Sequence, residues 1–171
     1  MAHSKNFGWV QLPITVAACL ILDYLSKRWA EANLPTMEYR PLIEGFINLK
    51  RTTNTGAAFS IGEDHSAMMT VFASIITLVI LIWCINRERS EVKPHMVERI
   101  GTGCILGGAL GNLFDRFNRG EVTDFLEFSF FDFPIFNVAD ILINVGLGLF
   151  ILYNLFMLKE ESKPKPGTID E

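Results

Sequence analysis

Two carboxylates lie where this sequence can least tolerate charge. Asp23 is the single charged residue of the block 7–26, and Asp140 is the single one inside the apolar run 133–158. An acid at the centre of a membrane-spanning helix costs about 2.5–3.5 kcal/mol even on a lenient insertion scale, so an acid kept there is a candidate for chemistry. Asp115 with Arg116, and then Asp124, follow directly after another apolar block. Two aspartates held close cannot both ionise. One keeps a proton while the other draws a proton from a water lodged between them, and the water attacks a carbonyl. Peptide hydrolysis of this kind needs only the pair and a wet pocket, with no metal and no organic cofactor.

The competing chemistries fit less well. Ser26 and Lys27 are neighbours and point about 100° apart on a helix, which is poor geometry for a serine–lysine dyad. His3, His65 and His95 are scattered over tails and loops without an HExxH helix, so a zinc hydrolase is not expected. The net charge of −4 and the lack of a basic tract argue against a nucleic-acid partner. Cys19, Cys84 and Cys104 each fall inside an apolar block and read as small buried residues.

The elements that must position the acids are long apolar helices. Half of the 171 residues are apolar, and they gather into blocks at 7–26, 66–85, 96–114 and 133–158. Each block can cross a hydrocarbon core of about 30 Å at about 1.5 Å per residue. The chain is therefore expected to be an all-α membrane protein, with residues 1–159 as one four-helix domain and 160–171 as a disordered tail. The N-terminal segment, the 86–99 connection and the tail hold 8 of the 15 Lys and Arg residues. By the positive-inside rule both termini are cytoplasmic. The end of the first helix, the end of the third and the start of the fourth then share the extracytoplasmic layer, and with them Asp23, Asp115, Arg116, Asp124 and Asp140.

Other features have plainer readings. Val16-Ala17-Ala18-Cys19 has the form of a lipoprotein cleavage box, but the apolar run continues past it, as in a retained helix. Residues 46–52 suggest a β element in the 27–65 loop, followed by the turn signal Asn54-Thr55-Gly56. The aromatic 115–132 segment suits the headgroup layer. Gly103, Gly107 and Gly111 share one face of the third helix and predict close helix packing. Asp115 beside Arg116 reads equally as an ion pair ending a helix or as a substrate contact. Glu127 and Asp132 read as solvated loop charges, and Asp23 as a support for the loop above it. Asp140 has an alternative as a helix N-terminal carboxylate, and Asp124 by itself would pass for a loop acid.

Five blocks in order resemble lipoprotein signal peptidase, also called signal peptidase II, the bacterial membrane aspartyl protease family. They are Asp23-Tyr24-Leu25-Ser26-Lys27, Asn54-Thr55-Gly56-Ala57-Ala58-Phe59-Ser60, Gly111-Asn112-Leu113-Phe114-Asp115-Arg116, Gly120-Glu121-Val122-Thr123-Asp124-Phe125, and Phe136-Asn137-Val138-Ala139-Asp140. The resemblance covers nearly the whole chain. It implies four transmembrane helices with a small extracytoplasmic β-cradle and a short helix in the first loop. It also implies a bacterial inner-membrane enzyme with its active site at the extracytoplasmic interface. The implied substrate is a diacylglyceryl-modified prolipoprotein, cut on the amino side of the lipidated cysteine, and globomycin-type cyclic peptides are the implied inhibitors. Membrane lipid is the other partner, and a monomer is expected. Carried over by motif, Asp124 and Asp140 are the catalytic pair. Asn54, Gly56, Asn112, Asp115, Arg116, Asn137 and Ala139 line or order the site, and Asp23 supports the cradle. Two positions depart from the pattern: Tyr24 stands where a glutamine is expected, and Ile141 where a small or hydroxylated residue is common. The alternatives from other classes are a proton relay through Asp23 and Asp140, and an assembly factor that merely holds lipoproteins.

Overall fold

A computed structural model of the chain describes residues 10–56 and 66–161. These form helices α1 (Gln11–Asn33), α2 (Ser66–Arg89), α3 (Met96–Arg119) and α4 (Val138–Glu161). Three strands accompany them: β1 (Arg40–Ile43), β2 (Ile47–Asn54) and β3 (Val122–Phe128). Helix α3 is the hub and packs against the other three helices. Its glycines allow the close approach. An added Cβ at Gly107 would lie 2.6 Å from Cys19 Cβ, and one at Gly108 would lie 2.5 Å from the Ala139 carbonyl oxygen. Gly103 and Gly111 meet Thr15 and Asp23 of α1, as the spacing predicts. A second face, Gly101 and Gly108, lies against Gly146 and Ala139 of α4.

Burial is inverted relative to a water-soluble bundle. On α1 the buried residues are Cys19, Asp23, Lys27 and Ala30, while Ile14, Ile21, Leu22 and Leu25 are exposed. Helices α2 and α4 likewise expose Val71, Phe72, Ile75, Ile151, Leu152 and Phe156. An exterior of this kind suits lipid and not water. The segments Ser66–Arg89 and Val138–Lys159 are long and apolar enough to cross a membrane.

The element boundaries correct several expectations. Helix α1 runs to Asn33, so Lys27 is a buried helical residue and not the first charge of a loop. Helix α3 runs to Arg119, and most of the remaining 115–132 segment is strand β3. Glu127, expected to be solvated, is in that strand and pairs with Lys50 at 3.2 Å, whereas Asp132 is exposed. Helix α4 starts at Val138, not at residue 133, and runs to Glu161, beyond the boundary expected at 159. The short loop helix, Ala57 to Ser60 of the second motif, and the tail beyond 161 lie outside the described residues.

The sheet is antiparallel in the order β1-β2-β3. Gly45, at φ +73°, makes the tight link between β1 and β2. One face packs on the end of α1 through Ala30, Leu34, Leu49, Phe125 and Leu126. Gly120, at φ +75°, ends α3 with its N–H on the Arg116 carbonyl and sends the chain into β3. Strand β3 also bridges to residue 136: Leu126 and Phe136 exchange N–H···O bonds of 2.8 and 2.9 Å.

Candidate active site

Strand register sets the first half of the site. Asn54 lies opposite Val122, and Thr52 lies opposite Asp124, so Asn54 and Asp124 are diagonal neighbours on one face of the sheet. Asn54 Nδ2 donates to Asp124 Oδ2 at 2.9 Å, and its Oδ1 accepts the Gly56 N–H at 3.0 Å. The bridge between Leu126 and Phe136 sets the second half, because it delivers the fully buried Asn137 beside Asp124. Asn137 Nδ2 donates to Asp124 Oδ1 at 2.6 Å.

The same asparagine begins α4. Asn137 Oδ1 accepts the Asp140 N–H at 3.2 Å, and Asp140 Oδ2 accepts the Asn137 N–H at 3.0 Å, a reciprocal capping box. Asp140 is therefore in the first turn of α4. The N-terminal reading accounts for one of its oxygens. The other, Oδ1, accepts Asn112 Nδ2 from α3 at 3.0 Å. Asn112 and Asn137 are joined in turn by an Nδ2···Oδ1 bond of 3.1 Å. Among the described residues, every N–H group bonded to the two carboxylates thus belongs to an amide.

Both aspartates open onto one cleft of 540 Å³, whose walls are the apolar Phe128, Phe133, Ile135, Ile141 and Val145. Burial, foremost, and the neighbouring Asp140 charge push the Asp124 carboxyl up to about 6, against the opposing bonds from Asn54 and Asn137. Arg116 lines the cleft too, and its Nη2 donates to the Gly56 carbonyl at 3.0 Å. Among the described residues it meets carbonyls and not the Asp115 carboxylate. Among the described residues no three His, Cys, Asp or Glu side chains form a metal-ligand set.

The remaining expected residues lie behind this cleft. Asp23 supports α4 and not the cradle: its Oδ1 accepts the Ala139 N–H at 3.2 Å, and its Oδ2 accepts Lys27 Nζ at 2.8 Å. Asp115 pairs with Lys27 at 2.9 Å and with Arg119 at 2.7 Å. Ala139 is fully buried against Gly108. Of the departures, Ile141 is on the cleft wall and Tyr24 faces a second cavity. Sequence reasoning missed Lys27 as a site residue. The signal was there, since Asp23 and Lys27 are four apart and share a helical face.

Known proteins share this fold. A bacterial membrane enzyme solved by the in meso method at 2.3 Å resolution superposes with a TM-score of 0.79 at 28% identity, covering 96% of this chain and 98% of that one. A second, at 1.9 Å, gives a TM-score of 0.74 at 29% identity, covering 91% and 98%. The fold is that of a helical membrane enzyme. Lipoprotein signal peptidases are similar in sequence. That of Thermosynechococcus vestitus is 40% identical, covering 82% of this chain and 85% of its own length. That of Gloeobacter violaceus is 38% identical, covering 98% and 91%. The sequence model described as signal peptidase (SPase) II matches residues 15–156, and the chain belongs to this family of proteases.

Proposed function

We propose that this protein removes signal peptides from prolipoproteins as an aspartyl endopeptidase, with Asp124 and Asp140 as the catalytic pair. The observation that carries this reading is the convergence of two buried carboxylates, one from a strand and one from a helix N-terminus, on one cleft and one amide network. A water between them loses a proton to Asp140 while its oxygen attacks the scissile carbonyl. Asp124 gives its proton to the carbonyl oxygen. The tetrahedral adduct collapses as Asp140 passes the proton to the leaving nitrogen and Asp124 recovers its own, so one water is consumed and the pair is regenerated.

The substrate is a prolipoprotein carrying diacylglyceryl on its cysteine, cut on the amino side of that residue. Its lipid stays in the bilayer and its peptide meets the cleft at the interface, so the membrane itself supplies proximity. All four helices cross the bacterial inner membrane, both termini are cytoplasmic, and the protein acts as a monomer. The inverted burial of α1, α2 and α4 supports the spanning reading.

Asp124→Asn and Asp140→Asn, assayed separately on a diacylglyceryl prolipoprotein, test the mechanism. Both are expected to be inactive, and turnover by either folded variant overturns it. Equal cleavage of the unlipidated precursor overturns the substrate order. Globomycin is expected to inhibit the wild type.

A further inference from the structure

Lys27 is 3% exposed, one turn after Asp23 on α1. Its ammonium has three protons and no acceptor. Two oxygens accept hydrogen bonds from it, Asp23 Oδ2 and Asn112 Oδ1, each at 2.8 Å, and Asp115 Oδ2 lies 2.9 Å away as an ion-pair partner. Asn112 is a symmetric fork that fits its site either way round unless its neighbours choose. Its oxygen end faces the ammonium and Asn137 Nδ2, and its nitrogen end faces Asp140 Oδ1. Reversing it would set an NH2 group against two donors and a carbonyl oxygen against a carboxylate.

We propose that Lys27 is a positioning residue of the active site, which fixes through its ammonium the end of the Asn112 amide that faces Asp140. The proposal rests on the Asp124 and Asp140 pair proposed above. Lys27 reaches no substrate atom. It acts through a neutral amide, so Asp140 gains a donor without gaining a bonded cation. Two acids on different helices balance its charge, and Arg119 shares Asp115 at 2.7 Å. The charged groups around Lys27 are Asp23 on α1, Asp115, Arg116 and Arg119 on α3, Asp124 on β3 and Asp140 on α4.

The test uses the full-length enzyme in detergent, with Lys27→Met, the double variant Asp23→Asn/Lys27→Met, and Asp140→Asn as a reference. Methionine fills the lysine's volume. In the double variant the amide oxygen introduced by Asp23→Asn still accepts the Ala139 N–H, and the carboxylate left unpaired by the loss of Lys27 is gone. The double variant is expected to recover the melting temperature that Lys27→Met loses. In both Lys27 variants kcat per folded molecule is expected to fall about 10- to 100-fold, the scale of one bond to a charged group, with KM changed less than about 3-fold. The alkaline limb of kcat/KM moves to higher pH in Lys27→Met, because a cation that favours ionised Asp124 has been removed, and moves less in the double variant, where the Asp23 charge goes with it. A kcat within about 3-fold of wild type in either folded variant overturns the proposal. So does a double variant whose kcat recovers together with its melting temperature, since Lys27 then serves only charge balance. Turnover by Asp140→Asn overturns the catalytic pair itself, which keeps the two failures distinct.

Discussion

Two cavities flank α3 and differ in how they treat their acids. The cleft of 540 Å³ holds Asp124 and Asp140. The neighbouring cavity of 470 Å³ holds Asp23, Glu31 and Asp115, together with Lys27, Arg28 and Arg119. In the second cavity each acid meets a cation: Asp23 meets Lys27, Asp115 meets Lys27 and Arg119, and Glu31 meets Arg28 and Arg119. In the cleft, among the described residues, the N–H groups bonded to the acids are all amides. A cation beside a buried carboxylate offsets its charge and makes it a brace. An amide satisfies lone pairs without bringing an opposite charge, and at Asp124 burial prevails and pushes the carboxyl up to about 6.

The sharpest way to break this contrast is to remove one acid from each cavity. Asp124→Asn or Asp140→Asn is expected to lower kcat at least about 10³-fold, measured as release of the signal peptide from a diacylglyceryl substrate. Asp115→Asn is expected instead to act on stability. It leaves Lys27 and Arg119 each short of a partner and costs about 3 kcal/mol, read as a lower midpoint in thermal or denaturant unfolding. If Asp115→Asn kept its stability and lost turnover as completely as Asp124→Asn, the division between brace and catalyst would fail.

Asn54→Ala removes one donor from Asp124 Oδ2. Turnover is expected to drop about 10-fold, and the alkaline limb of kcat/KM to move to higher pH, because that bond favours the ionised form. The wild-type profile tests the premise. Asp124 is pushed up to about 6 by burial foremost and by Asp140, so the folded protein holds this proton to higher pH than the unfolded chain does. In the proposed mechanism the working pair carries one proton, so kcat/KM is expected to fall as pH rises through about 6. By linkage, the same group makes folding less favourable as pH rises from the ordinary carboxylate range to about 6. A flat profile across that range would contradict the amide-held description. The smallest effect is expected at the sheet, where Glu127→Gln removes the partner of Lys50 and costs about 0.5–1 kcal/mol without moving the pH profile.

Legibility in the sequence followed charge contrast. Asp23 and Asp140 stood out because they interrupt apolar runs. Asp124 does not, since it lies among Glu121, Glu127 and Asp132, and only its motif singled it out. The strand carrying it was missed for the same reason: an aromatic segment with several acids reads as an interfacial loop until β2 is there to pair with it. Lys27 was miscounted because the apolar block stops at Ser26 while α1 continues to Asn33. Hydropathy marks where a helix leaves the apolar layer, not where its hydrogen bonds end. The fourth helix was begun too early, at 133, because residues 133–137 are largely apolar like the helix they precede, yet residue 136 is committed to β3.

By itself the sequence determined that four long helices form and that α3 carries a small-residue face. Hydrophobic blocks and residue size express themselves locally and do not depend on the partner. Tertiary structure decided whether the donors that reach each carboxylate are cations or amides, the difference on which the proposed roles of brace and catalyst rest. Those donors come from residues such as Asn54, Lys27 and Asn112, which only the packing of α1, α3 and the sheet brings to within hydrogen-bond distance.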